Sequence, residues 1–478
     1  PDEVGNMSSL RQLLIYTNNL TGSLPSSIGN LMNLEVLRVG SNSLSGKIPP
    51  EISNCRSLEV LGLAQNKLEG TIPGSIGRMQ SLTDLVLWQS GISGSIPHEL
   101  GNCSSLKMLA LYQNTLTGPI PSELGKLKML EKIYLYKNHL NGQIPKELCN
   151  CTSLIHIDMS QNDLEGNIPI EISNLERLEL IHLFENHLSG AIPSGLAYLS
   201  KLQKLDLSIN SLTSIIPMGF QDSTVLTTLQ LSENNLYGII PPLIGNNSNL
   251  SVLDLSVNNL HGHIPGYLCT NKQLLLLNLW SNGLSGEIPI GVSTCTSLLR
   301  LHLNGNRLQG TIPLELGQIH GLIELDLSQN QFQGGIIPEL GKCISLQSVN
   351  LAANNLTGEI PRVLGALQHL EIFNASSNSL LGSIPSDLAN CSQLFQLDLS
   401  RNSLSGSIPD ELGRLPQLNQ LLLSDNQLTG IIPQTLGNLT RLSELQLGGN
   451  NLFGEIPPDI GQIGSLQMAL NLSFNRLT

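Results

Sequence analysis

Apolar residues recur along the whole chain with a period of 24 residues. The repeat reads L-x-x-L-x-L-x-x-N-x-L-x-G-x-I-P-x-x-L-G-x-L-x-x, and its first leucine falls at Leu10 and at every 24th residue up to Leu466. No insertion or deletion interrupts these nineteen steps, and only the last repeat slips, by one residue, at Leu470 and Leu472. Such a fixed register is typical of one solenoid, in which each repeat packs only against its neighbours.

The positions within the repeat predict its elements. Leucines at positions 4 and 6 alternate with variable residues at 3, 5 and 7, which predicts a short strand with one buried face, stacked in parallel about 4.8 Å from the next. Position 9 is Asn in all repeats but one, which has Ser90, and this predicts a buried amide ladder. Position 13 is Gly except at Ser214, and Ile-Pro usually follows, so we expect a second extended segment and then a 3₁₀ or helical turn on the outer side.

Both ends of the chain fall within a repeat. Pro1 is at position 16 of an incomplete repeat, and Thr478 lies just after position 11 of the last one. Solenoids need polar caps at their ends, and neither end carries one. We therefore expect residues 1–478 to form a single array of about twenty 24-residue repeats that is a fragment of a longer protein.

Composition and charge exclude some partners. The net charge is −13 and the pI is about 5.2, which argues against nucleic-acid binding through neutralised phosphates. No stretch of 18 apolar residues occurs, so no segment of this sequence is predicted to span a membrane.

Asp158, Asp206 and Asp254 recur at position 5, but they belong to the repeat phrase L-D-L-S, which favours a structural role over catalysis. The histidines form no metal-binding spacing, and no cofactor, metal site or enzymatic activity is expected for this chain.

The variable positions 3, 5, 7 and 8 should form an exposed ladder on the concave surface, where no core packing restricts the side chain. Aromatic and imidazole side chains concentrate there, at Trp88, Tyr112, Tyr134, Tyr136, His156, His182 and Phe184, with Trp280, Arg300 and His302 as a second patch. Exposed aromatics on a rigid sheet are typical of binding hot spots. The alternative is that these rings simply pack laterally between repeats.

Most cysteines are predicted to be buried free thiols. Six of the eight occupy position 22, and successive members are at least two repeats, about 10 Å, apart, which is too far for a disulfide. Cys269 and Cys295 are one repeat apart and form the one credible disulfide.

The repeat consensus, with its L-x-G-x-I-P, resembles the plant-specific leucine-rich repeat. Local phrases, including LVLWQSGISGSIP ending at Pro97, IHLFENHLSGAIP around Phe184, IFNASSNSL at 372–380 and LQLGGNNLFGEIP at 445–457, are similar to the extracellular part of subfamily XI receptor-like kinases. The resemblance implies a right-handed leucine-rich-repeat solenoid with a parallel sheet on its concave face. It also implies a membrane helix and a cytosolic Ser/Thr kinase outside this fragment, since the sequence contains no kinase motif.

The same resemblance implies function and partners. Such receptors bind a secreted peptide on the concave face at the plasma membrane and recruit a shorter co-receptor of the somatic embryogenesis receptor kinase type. Arg38 and Gly40 resemble an Arg-x-Gly-Gly element that holds a sulfated tyrosine, although Ser41 replaces the second glycine. Arg300-x-His302 stands where some members place Arg-x-Arg to grip a peptide's C-terminal carboxylate. The alternatives are a secreted inhibitor module similar to polygalacturonase inhibitors, and a receptor-like protein without a kinase.

Eleven Asn-x-Ser/Thr sequons favour secretion and N-glycosylation, although the repeat itself generates some of them. The asparagines are Asn6, Asn19, Asn102, Asn150, Asn246, Asn249, Asn355, Asn374, Asn390, Asn438 and Asn471. Asn374 and Asn471 fall on the inner strand, where a glycan would close that stretch to a ligand.

Overall fold

The computed structural model describes all 478 residues, Pro1–Thr478. They divide into two compact units, Pro1–Tyr237 and Gly238–Thr478. Each unit is built from successive 24-residue turns, and we number the repeats from Leu10 onwards.

The N-terminal unit contains ten inner strands, which lie at repeat positions 3 to 5. Their register advances by one repeat per strand, as in the pairing of Ile133 with Ile157. The strands are Gln12–Leu14, Val36–Arg38, Val60–Gly62, Asp84–Val86, Met108–Ala110, Lys132–Tyr134, His156–Asp158, Leu180–His182, Lys204–Asp206 and Thr228–Gln230.

Short outer strands follow the inner ones, and 3₁₀ turns follow the proline of each repeat, as the L-x-G-x-I-P pattern predicts. The outer strands are Thr21–Ser23, Ser43–Ser45, Ser93–Gly94, Thr115–Gly118, His139–Gly142, Asp163–Asn167, His187–Gly190 and Ser211–Ser214, with Asn235–Gly238 at the division between the units. The 3₁₀ turns are Asp2–Asn6, Ser26–Asn30, Pro50–Asn54, Gly74–Arg78, His98–Asn102, Ser122–Lys126, Lys146–Asn150, Ile170–Asn174, Ser194–Tyr198 and Met218–Asp222.

The C-terminal unit has the same plan. Its inner strands are Val252–Asp254, Leu276–Asn278, Arg300–His302, Glu324–Asp326, Ser348–Asn350, Ile372–Asn374, Gln396–Asp398, Gln420–Leu422, Glu444–Gln446 and Ala469–Asn471. Its outer strands are Asn259–Gly262, Gly283–Gly286, Arg307–Thr311, Gln331–Gly334, Asn355–Leu356, Thr429–Gly430, Asn451–Gly454 and Arg476–Leu477. Its helical turns are the α-helical turn Ile290–Ser293 and the 3₁₀ turns Leu314–Gln318, Pro338–Lys342, Arg362–Ala366, Ser386–Asn390, Asp410–Arg414, Gln434–Asn438 and Pro458–Gln462.

Each repeat buries the same set of aliphatic positions. In the fifth repeat these are the leucines and the isoleucine at positions 1, 4, 6, 11, 15, 19 and 22, and all are at most 3% exposed: Leu106, Leu109, Leu111, Leu116, Ile120, Leu124 and Leu127. Because every repeat contributes a similar layer, the core is a stack of small apolar layers and needs few aromatic side chains.

The asparagine ladder at position 9 is confirmed. Asn114 is 9% exposed, and its Nδ2 donates hydrogen bonds to the carbonyls of Leu87 and Leu111 at 2.8 and 2.9 Å. Its Oδ1 accepts from the amides of Ser90 and Ile92 at 3.0 and 3.2 Å. The side chain therefore satisfies backbone groups of two adjacent repeats where the chain leaves the strand.

The backbone turns sharply at two recurring positions. Position 8 adopts a left-handed conformation with φ near +50 to +57° even where it is not glycine, as at Gln113 and Lys137. Position 13 is the second such point, and φ is +78° at Gly118. This confirms the prediction that the glycine at position 13 adopts a backbone conformation disfavoured for other residues. Ser214 adopts φ +91° at the equivalent position without being glycine.

The structure joins Cys269 and Cys295 in a disulfide, with their Cα atoms 5.7 Å apart, and this is the pair that the repeat spacing singled out. The remaining six cysteines are free and buried. Burial raises the pKa of the Cys103 thiol to about 11, so it stays protonated and behaves as a small apolar side chain.

Candidate functional site

The inner face of each unit is the solvent side of its long parallel sheet, formed by positions 3, 5, 7 and 8. The buried leucines at positions 4 and 6 hold the backbone against the core, so the side chains between them must point away from it. In the strand Lys132–Tyr134, for example, Ile133 is fully buried while Lys132 and Tyr134 are half-buried on the other side. The variable residues are therefore on an accessible surface.

Three aromatic rings at position 7 of successive repeats form a stacked column on this face of the N-terminal unit. Trp88 stacks on Tyr112 with ring centroids 5.2 Å apart and planes 4° apart, and Tyr112 stacks on Tyr136 at 4.4 Å and 10°. All three rings are half-buried. The rings do pack laterally between repeats, and they also leave part of their surface open to solvent, so the two readings of the sequence are not exclusive.

A polar network lies beside the column on the next strands. The Tyr134 hydroxyl is 2.7 Å from His156 Nδ1. His182 Nδ1 is 3.5 Å from an Asp158 carboxylate oxygen, and the His182 ring meets Phe184 edge-on at 6.2 Å. Asp158 also accepts hydrogen bonds from the backbone amide and hydroxyl of Ser160. Hence Asp158, which the sequence assigns to a structural phrase, also orients a predicted site residue.

Partial burial sets the protonation of these groups. It raises the pKa of Tyr136 to about 12, with the neighbouring Tyr112 adding to the shift, and it raises the pKa of Tyr112 and Tyr134 as well. Burial, aided by the positive charge of Lys132, lowers the pKa of His156. The phenols and this imidazole are therefore neutral near neutral pH, and these groups themselves add no charge to the face.

A hollow of about 400 Å³ lies at the Trp88 end of the column. Small side chains leave it open, because Gly40 occupies position 7 of the second repeat, and Gly62 and Ala64 occupy positions 5 and 7 of the third. Arg38 is exposed at its wall, so the structure brings Arg38, Gly40 and Trp88 together. The part that Gly62 and Ala64 play was not predicted, although missing side chains at inner-face positions are visible in the sequence.

The second predicted patch lies on the C-terminal unit. Trp280 is 37% exposed. Arg300 Nε and His302 Nε2 each lie 2.9 Å from a carboxylate oxygen of Glu324 on the neighbouring strand. The two predicted carboxylate-binding residues are thus paired with a carboxylate of this chain. Sequence reasoning missed Glu324, although it stands one repeat after Arg300.

The sequon asparagines occupy different settings. Asn6, Asn102, Asn150, Asn390 and Asn438 end 3₁₀ turns, and Asn374 and Asn471 end inner strands. Asn355 begins an outer strand, Asn246 lies in a bend, and Asn19 and Asn249 lie in segments without regular secondary structure. The Oδ1 of Asn374 accepts hydrogen bonds from the amide and hydroxyl of Ser376. Glycosylation at these sites stays a prediction.

No group of three or more His, Cys, Asp or Glu side chains is arranged to hold a metal ion. None of the helical segments has the length and apolar composition that a membrane crossing needs.

Two protein-family models match the repeats of this chain. A model described as a leucine-rich repeat region matches residues 1–115. The Leucine Rich Repeat model matches residues 129–151, 153–175, 201–223, 225–247, 249–271, 297–319, 321–343, 345–367, 369–391, 393–415, 417–439 and 441–463. The chain belongs to the leucine-rich-repeat family. Its fold is a leucine-rich-repeat solenoid with a long parallel sheet and 3₁₀ turns.

Solved structures of plant receptor ectodomains resemble this leucine-rich-repeat chain over its full length. The ectodomain of the membrane receptor kinase GASSHO1/SCHENGEN3 from Arabidopsis thaliana, in complex with CASPARIAN STRIP INTEGRITY FACTOR 2, is 42% identical with a TM-score of 0.97. The alignment covers 100% of this chain, and the chain spans 57% of the length of that ectodomain. A comparison with curated protein sequences gave no match.

Two further structures extend the comparison. PEPR1–AtPEP1 is 39% identical with a TM-score of 0.92, covering 99% of this chain and 70% of that one. The Arabidopsis receptor kinase HAESA, in complex with the peptide hormone IDA and the co-receptor SERK1, is 35% identical with a TM-score of 0.78, covering 98% and 87%. In structure, the chain closely resembles the leucine-rich-repeat ectodomains of plant receptor kinases, and no catalytic domain is evident in it.

Proposed function

We propose that this chain is the extracellular ligand-recognition region of a plant receptor-like kinase of subfamily XI. A secreted peptide binds along the inner face, and the bound surface recruits a shorter leucine-rich-repeat co-receptor of the somatic embryogenesis receptor kinase type. The chain lies on the outer side of the plasma membrane, and the kinase and membrane segment belong to parts of the protein outside this sequence. Catalysis takes place in that kinase, and this chain only binds.

The observation that carries the proposal is the stacked column of Trp88, Tyr112 and Tyr136 on an open sheet face. Stacked rings held just after three adjacent strands lose little conformational entropy when a ligand covers them, so they contribute affinity at a small entropic penalty. Peptide complexes of structurally similar ectodomains support the class of ligand. The hollow beside Arg38 offers space and a guanidinium for an anionic group such as a sulfated tyrosine.

Calorimetry against a panel of secreted plant peptides, in sulfated and unsulfated forms, tests the proposal. The panel includes CASPARIAN STRIP INTEGRITY FACTOR 2, AtPEP1 and IDA. The double variant Tyr136→Ala, Phe184→Ala should abolish binding of the peptide that the wild type binds, because it removes two of the exposed rings. The melting temperature should stay close to that of the wild type, since both side chains lie outside the aliphatic core.

A matched control removes two aromatic rings from the outer side of the same unit. Tyr198 and Tyr237 are 72% and 53% exposed, and replacing both by alanine should leave peptide affinity unchanged. Unchanged affinity in the Tyr136→Ala, Phe184→Ala variant would remove these rings from the binding surface. Failure of every peptide in the panel to bind would contradict the ligand class itself.

A further inference from the structure

The carboxylate of Glu324 contacts both Arg300 and His302 in the second patch, on the C-terminal unit. The strands Arg300–His302 and Glu324–Asp326 pair in parallel, and this register sets Arg300 opposite Glu324 and His302 opposite Asp326. Glu324 Oε1 lies 2.9 Å from Arg300 Nε and Oε2 lies 2.9 Å from His302 Nε2. One carboxylate therefore contacts both groups through separate oxygens, as a ligand's terminal carboxylate would.

Asp326 adds a second negative charge next to this cluster. Its Oδ1 accepts hydrogen bonds from the amide and hydroxyl of Ser328, at 2.9 and 2.6 Å, and its Oδ2 accepts from Asn350 at 3.1 Å. These donors hold the carboxylate in place beside His302.

No other charge on the inner face of these repeats offsets the two carboxylates. The adjacent strands Leu276–Asn278 and Ser348–Asn350 contribute only uncharged side chains, and positions 7 and 8 of repeats 12 to 15 are also uncharged. With a neutral His302, the formal charge of Arg300, Glu324 and Asp326 is −1, and a protonated His302 brings it to zero. The patch is never positive while both carboxylates are ionised.

We propose that Glu324 determines the specificity of this patch by excluding a ligand's free carboxylate. An incoming carboxylate would have to displace Glu324 from both donors and would meet the charge of Asp326 as well. Groups that donate hydrogen bonds, such as a carboxamide or an ammonium, can instead share the free lone pairs of Glu324 and Asp326. The patch therefore fits a peptide that continues across it or ends in an amide.

This inference deepens the proposed function, because its biological consequence rests on a peptide lying along the inner face. Its chemistry can nevertheless be tested without that peptide. Acetate serves as the carboxylate probe and acetamide as its uncharged counterpart, added to the full chain at constant pH and ionic strength. The imidazole proton resonance of His302, assigned by its loss in His302→Gln, reports occupancy of the patch.

In the wild type, acetate should leave the His302 resonance in place. In Glu324→Gln, acetate should shift it with saturation, and half-saturation should come at a concentration at least about tenfold below the highest one that leaves the wild-type resonance in place, because one carboxylate is neutralised and the donors are released. Glu324→Ser, which introduces the residue that the next repeat carries at Ser348, gives a second variant in case the first unfolds. Acetamide should show no comparable gain in binding to the Glu324→Gln variant, because it does not have to displace Glu324.

Glu444→Gln is the matched control. Glu444 occupies the same repeat position and also bridges two neighbours, Gln420 at 2.9 Å and Gln446 at 3.2 Å, but neither is a cation. Its replacement should leave the His302 response to acetate unchanged. Acetate binding that is equally strong in the wild type and in Glu324→Gln, or absent from both, would overturn the assignment of Glu324, and neither result would affect peptide binding at the aromatic column.

Discussion

Asn138 belongs to the asparagine ladder and follows the strand that carries Tyr134 and the turn that carries Tyr136. Replacing it by alanine removes the hydrogen bonds that its side chain contributes to the ladder. Asn138 is 6% exposed. Its Nδ2 donates to the carbonyls of Leu111 and Leu135 at 3.1 and 2.9 Å, and its Oδ1 accepts from the amide of Leu116 at 3.0 Å. Alanine makes none of these bonds, and two of the three reach the preceding repeat.

The expected destabilisation follows from these three bonds. The carbonyls of Leu111 and Leu135 keep one donor each, from Asn114 and Asn162, so the Leu116 amide is the group left without its partner. A buried backbone group that loses its partner raises the folded-state free energy by about 1–3 kcal/mol, which predicts a loss of about 2 kcal/mol. The chain supplies its own milder substitution at this position, because Ser90 donates to the carbonyls of Leu63 and Leu87 at 3.2 and 2.8 Å. Asn138→Ser restores a donor to the carbonyls of Leu111 and Leu135 but not the acceptor of the Leu116 amide, so it should lose less than Asn138→Ala.

Thermal denaturation and amide hydrogen exchange of the wild type and variants measure this effect. Exchange of the Leu116 amide should accelerate in Asn138→Ala, since its acceptor is gone. Asn141→Ala is the matched control, because Asn141 is an exposed asparagine in the same repeat. If Asn138→Ala melts and exchanges like Asn141→Ala, then the ladder does not stabilise the array and the reasoning is refuted.

Three further changes test other parts of the structure. Ser214→Gly should raise the melting temperature by stabilising the N-terminal unit by about 1 kcal/mol, because φ +91° is disfavoured for serine, and a lower melting temperature would contradict this. Replacing Cys269 and Cys295 together by serine should destabilise the C-terminal unit by about 3 kcal/mol, given a sequence separation of 26, and dithiothreitol should then have no further effect on its melting. The lowered pKa of His156 means that the unfolded chain binds a proton more readily than the folded one. Stability should therefore fall between about pH 7 and about pH 5, and His156→Gln should reduce that fall measured by urea denaturation; an equal fall in both would show that His156 does not contribute.

The regular part of the fold follows from the repeat alone. Leucines at positions 4 and 6 can be buried only if the intervening residues face solvent, so the inner strands and their register were predictable. On the outer side, the sequence predicted only the conformation that most repeats share. Residues 242–245 and 266–270 form turns where most repeats have a 3₁₀ segment, and Ile290–Ser293 is an α-helical turn. These local choices depend on packing between particular neighbours, which the consensus does not encode.

The candidate site was likewise predictable only in part. Placement of Trp88, Tyr112 and Tyr136 on one face required only their common repeat position. Their stacking, and the pairing of Arg300 and His302 with Glu324, depend on side-chain conformations selected by contacts across strands. The role of Glu324 was not predicted, because Arg300 and His302 resemble a ligand motif by themselves and the acidic residue lies one repeat further on.

The emission of Trp88 tests most directly whether ligand binds at the aromatic column. The chain contains two tryptophans, so Trp280→Phe leaves Trp88 as the only one. Titration of this variant with a peptide that calorimetry shows to bind should shift or quench its emission, saturating at the calorimetric affinity, because the ligand covers a half-exposed indole. Tight binding with an unchanged Trp88 spectrum would place the ligand elsewhere and contradict the account.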